Sequence, residues 1–160
     1  MATFKSNIVT ADDAALTGLA NGVVNGDDKG GLLLKATAIY TLLGTESATD
    51  TIDLINLPAG CVVEPSLSTI VSANPGTALV LDVGDDGSTG AATADPDRYA
   101  DGAVLSSGGE VKFNSAAVSA ANATPYRSTG RNKVFATFMT ATSLTPGVKV
   151  VFNIVYRVKG

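Results

Sequence analysis

The sequence has no histidine, no tryptophan, a single cysteine and few charges. Each shortage removes a class of function. Without His the usual general base near neutral pH is missing, and Ser–His–Asp and Cys–His constellations are excluded. One Cys forms no disulfide within the chain, and with carboxylates alone it does not complete a tetrahedral structural zinc site. Cys61, in the run Pro58-Ala59-Gly60-Cys61-Val62-Val63, reads as a small buried hydrophobe at a strand start rather than a reactive thiol. Without Trp and with few aromatics, carboxylates such as Asp53, Glu64 and Glu110 lack a sugar platform for glycosidase chemistry. The expectation is a protein that is not an enzyme and needs no cofactor.

Charged residues are 16% of the chain, against roughly 25% in an average soluble domain. So few ions cover a solitary surface poorly, which predicts that part of the exterior meets other protein. The 11 Lys and Arg are scattered and the net charge is −4. That pattern offers no footprint for nucleic acid or anionic lipid. No apolar run approaches a membrane span, and residues 1–7 lack the apolar core of a signal peptide. A soluble product of the cytosol, bound to neither membrane nor nucleic acid, is expected.

What is there is mostly Gly, Ala, Val, Ser and Thr, in 160 residues, enough for one compact domain. Residues 1–31 carry turn signals at Asn21-Gly22, Asn25-Gly26 and Gly30-Gly31, and a short helix over residues 12–19 with Thr10 as its N-cap. Their apolar residues Phe4, Ile8, Val9, Leu16, Leu19, Val23 and Val24 are too few for a core. They are the candidate partner contacts of an extended N-terminal arm.

From residue 32 the hydrophobic period is two. Strands are predicted over residues 32–43, 51–57, 61–71 (with Pro65 hinting at an edge or bulge), 77–83, 133–140 and 148–158. In the last, Val148, Val150, Phe152, Ile154, Tyr156 and Val158 share one face, and Val151 and Val155 suggest that the other is partly covered. Residues 84–101 read as a lapse in the pattern, with Arg98-Tyr99-Ala100 as a short ordered patch. Two short strands are expected at 103–105 and 110–114, and a loose region at 115–131. No helical crossovers are available for parallel pairing. Residues 32–160 are therefore expected to form an all-β domain, an antiparallel two-sheet sandwich or jelly roll.

The run Asp82-Val83-Gly84-Asp85-Asp86-Gly87, with Asp95, Asp97 and Asp101 downstream, has the carboxylates that calcium requires. Its spacing fails as an EF-hand, since Gly84 stands third and Thr93 twelfth. A solvated, Asp-rich turn is the preferred reading, and no metal is assigned.

Several segments in order carry a resemblance: Ala38-Ile39-Tyr40-Thr41-Leu42-Leu43-Gly44-Thr45-Glu46, Leu57-Pro58-Ala59-Gly60-Cys61, Leu79-Val80-Leu81-Asp82-Val83-Gly84, Asp97-Arg98-Tyr99-Ala100-Asp101-Gly102 and Val150-Val151-Phe152-Asn153-Ile154-Val155-Tyr156. Over residues 32–160 the chain resembles capsid decoration, or cement, proteins of tailed bacteriophages. The resemblance implies a jelly-roll domain on the outer capsid surface of the virion. It also implies clustering as homotrimers and binding to the major capsid protein, with synthesis in the host cytoplasm. Head fibres and tail adhesins that bind a host surface glycan look similar. Of the aromatics that reading needs, Tyr99 and Tyr126 are the ones expected in loops.

Overall fold

A computed structural model describes residues 3–5, 32–87, 94–113 and 130–158. Their strands are, in chain order, β1 (Thr3–Lys5), β2 (Leu32–Thr41), β3 (Thr51–Leu57), β4 (Cys61–Val63), β5 (Thr69–Ser72), β6 (Gly76–Asp85), β7 (Asp95–Val104), β8 (Gly109–Lys112), β9 (Asn132–Leu144) and β10 (Lys149–Val158). One sheet has the order β1-β3-β9-β6-β7; the other has β2-β10-β5-β8, with β4 also paired to β10.

Four antiparallel partnerships nest inside one another: β2 with β10, β3 with β9, β5 with β8, and β6 with β7. It is as if one long hairpin had been bent over into two layers, which is the jelly-roll arrangement. The expected all-β sandwich is the observed fold. One pairing departs from it: β1 lies parallel to β3.

Period-two patterning puts the core between the layers. Ala38, Val150, Phe152, Ile154, Leu79, Leu81, Val83, Val134, Ala136 and Phe138 are all fully buried. Phe152 lies in register between Ala38 on one side and Ile70 on the other. A small neighbour beside a large ring lets the layer fill without voids. The two sheets meet where Tyr40 of β2 and Phe138 of β9 pack edge to face, with centroids 6.2 Å apart. Such a pair adds about 0.5–1.5 kcal/mol beyond its burial.

Two expectations need correction. The strand predicted over residues 61–71 is broken by a 3₁₀ turn at Pro65–Leu67, because Pro has no N–H to extend a ladder. Ser68 repairs the break. Its hydroxyl donates to the Glu64 carbonyl at 2.9 Å and accepts from the Val155 N–H at 2.9 Å. The Val155 carbonyl accepts from the Glu64 N–H at 2.8 Å. Neither backbone group of Val155 is left unpaired where the partner strand steps away.

Most of a ten-residue strand, β7, falls in the lapse predicted over residues 84–101, and its end takes in Ala103 and Val104 of the short strand expected at 103–105. The polarity of Asp95-Pro96-Asp97-Arg98 hid it. As the edge of its sheet, β7 tolerates Pro96, and its pairing to β6 shifts register on both sides of Val83. The strand expected at 110–114 is β8. The helix expected at 12–19 lies outside the described residues, as does nearly all of the loose region 115–131.

Candidate interaction surfaces

The Asp-rich stretch is where a metal would sit, and its carboxylates are engaged by the protein itself. Asp85 is fully buried. Its Oδ2 accepts from the Tyr99 hydroxyl at 2.6 Å and lies 2.8 Å from Arg98 Nε, while its Oδ1 accepts from the Gly87 N–H at 3.0 Å. Asp82 Oδ1 accepts from the Gly102 N–H at 2.7 Å, and Asp86 Oδ1 from the Lys133 N–H at 3.0 Å. Among the described residues, no group of three or more Cys, Asp or Glu is placed to hold a metal ion. The stretch pins β7 onto β6 and ties β6 to β9; it is not the solvated turn that its composition suggested.

Burial raises the pKa of Asp82. The Gly102 N–H opposes that rise, and the charges of Asp101 and Asp97 add to it. Asp95 is likewise raised, first by burial and then by its hydrogen bond with Asp97, against the pull of Arg98. Tyr99, expected in a loop, is buried in β7. It is thus unavailable as an exposed sugar-stacking ring.

A second buried polar knot closes the β2–β3 turn. Glu46 accepts from the Tyr40 hydroxyl at 2.9 Å and from the N–H groups of Leu43 and Gly44 at 2.6 and 2.8 Å. Burial, reinforced by this carboxylate, pushes the Tyr40 phenol well above its ordinary pKa. Cys61 is buried at the start of β4, as expected, and burial pushes its thiol up to about 11. A thiol held protonated at neutral pH is a poor nucleophile.

The outward faces remain as surfaces. On the β2–β10–β5 sheet, Ile39, Val151 and Val71 lie in one row, all half-buried. The next row is a polar chain, in which Thr37 donates to Asn153 at 3.1 Å and Asn153 donates to Thr69 at 3.2 Å. Arg157 pairs with Glu64 at the far end. On the other sheet, Val80 stands in register between Thr140 and Val104. Val104 is 60% exposed, and Met139 beside Thr140 is 51% exposed. Among the described residues, Leu32, Leu33, Leu43 and Leu67 are the other large apolar residues left exposed.

Of the arm residues singled out in the sequence, Phe4 falls in β1, in register with Ile52. Ile8, Val9, Leu16, Leu19, Val23 and Val24 lie outside the described residues. Reading the sequence missed Met139 and Val104. Val104 lies in the short strand expected at 103–105, which is the end of β7, and three residues are too few for alternation to mark its outward face. Met139 sits at a register shift in the β6–β9 pairing, where simple alternation fails.

The fold has counterparts among solved structures. The chain shares its fold with bacteriophage capsid proteins. It superposes on a chain from the capsid of Ralstonia phage GP4 with a TM-score of 0.69 and 16% identity, covering 99% of both chains. A chain from the capsid asymmetric unit of cyanophage Pam1 matches with a TM-score of 0.55 and 20% identity, over 88% of this chain and 94% of that one. No protein-family model and no curated protein matches the sequence.

Proposed function

We propose that this protein is a non-enzymatic virion component, a cement protein that binds the major capsid protein on the outer surface of a phage head and stabilises the shell. The observation that carries this reading is the fold shared from end to end with a chain of a phage capsid. The composition supports it. A chain with 16% charged residues and valine, leucine and methionine side chains on its outward faces gains from covering part of its exterior. Stable interfaces bury about 1,200–2,000 Å² in total, and a sandwich face with an arm reaches that area. Homotrimers fit the same reading, because a copy set at a junction of capsid subunits multiplies weak contacts. The fibre or adhesin alternative loses support with the burial of Tyr99.

The test is reconstitution. Heads lacking the protein are mixed with purified chain, sedimented, and challenged with heat or chelator. Stoichiometric co-sedimentation and a higher temperature of head rupture are expected. Heads that neither bind the chain nor gain stability would overturn the reading.

A further inference from the structure

We propose that β1 is an exchangeable strand: the β3 edge that it occupies also accepts Thr3–Lys5 from a second copy of this chain. The inference needs only the fold and stands apart from the capsid reading. Among the described strands, β1–β3 is the one parallel pairing, and it is three residues long. Of the other described strands, all but β4 belong to the nested hairpins, and β4 is held antiparallel to β10; β1 is an addition at the outer edge of β3.

The occupant is specified by register. Thr3 aligns with Thr51, Phe4 with Ile52, and Lys5 with Asp53. By residue type, the register sets a threonine opposite a threonine, a phenylalanine opposite the fully buried Ile52, and a lysine opposite Asp53, whose carboxylate also pairs with Lys133 at 3.1 Å. This site therefore matches the chain's own segment, and every copy carries one donor strand and one acceptor edge. Exchange keeps every pairing and lets a small ring of copies close.

Reach permits it. Residues 6–31 separate β1 from β2, roughly two dozen residues, and extended they span on the order of 80 Å. A domain of this size is only about 35 Å across, by the scaling of compact chains. By length alone, the intervening residues suffice to reach the β3 of an adjoining copy. Where copies are clustered, the two options differ by no contact, only by effective concentration.

Cysteine cross-linking distinguishes them. Two versions of the chain, both carrying Cys61→Ala, are made with tags of different size, one with Thr3→Cys and the other with Thr51→Cys. Neighbouring strands lie about 4.7–4.9 Å apart, within disulfide reach. After co-expression and mild oxidation, a non-reduced denaturing gel is expected to show a species of combined mass that disappears with reductant. Its absence overturns the proposal, as does linkage confined to single chains when both cysteines are placed in one copy. Against misfolding of the variants, the unmodified chain is compared with one lacking residues 1–5 by light scattering. Loss of the multimer with an unchanged circular dichroism spectrum is expected; an unchanged mass overturns the proposal. Head binding is scored separately, so that a cross-linked multimer ignoring heads sinks the capsid reading and leaves the exchange standing.

Discussion

Asp85 illustrates how much a single side chain carries here. A fully buried carboxylate is costly unless paired and hydrogen-bonded, and Asp85 has Arg98, Tyr99 and the Gly87 N–H. Replacing it with Ala leaves Arg98 without this partner, and a loss of about 3–5 kcal/mol is expected in urea unfolding at neutral pH. Asp82 acts through its proton. Its pKa is higher folded than unfolded, so the folded state binds more protons in the window that begins near the ordinary Asp value, 3.8, and extends upward. Stability falls as pH rises through that window. Asp82→Asn keeps an oxygen for the Gly102 N–H and removes the titration. Its melting temperature is expected to decline less over the same rise in pH, measured by scanning calorimetry.

At the scale of elements, Gly84 decides how closely β7 approaches β6. A Cβ there would stand 1.9 Å from the Asp95 carbonyl oxygen and 2.4 Å from the Pro96 carbonyl carbon, both backbone atoms. Gly84→Ala is expected to push the start of β7 away and cost at least about 1–3 kcal/mol, with faster hydrogen exchange over residues 95–100 as the local signature. The same strand shows where reading the sequence stops. β10 was legible because its residues alternate, and β3 because turn residues mark its boundary, as at Pro58-Ala59-Gly60. β7 was illegible because its polar residues find partners in β6, and such pairing depends on residues distant in sequence. The 3₁₀ break at Pro65 was half legible. Proline forbade a ladder bond, but only the structure places the Ser68 hydroxyl to replace one. For the arm, composition offered candidate contacts, of which Phe4 alone falls among the described residues, and the parallel seat of Thr3–Lys5 on β3 had no pattern to announce it.

For the whole molecule, the proposed division of labour is a rigid body and an arm. Deleting residues 1–31 is expected to leave a cooperatively folding β domain, by circular dichroism, that no longer co-sediments with heads; undiminished binding would place the contact on the sandwich faces instead. The nested hairpins also govern how the protein responds to force. Leu32 and Val158 are partners at the open end of the β2–β10 pair, so a pull on these two positions peels that pair rung by rung, each hydrogen bond loaded alone. A push or shear spread over a sheet face loads many bonds together. On the proposed reading, a load that enters through the arm alone reaches Leu32 without drawing on Val158 and so does not peel that pair, whereas a load shared between both extremities would.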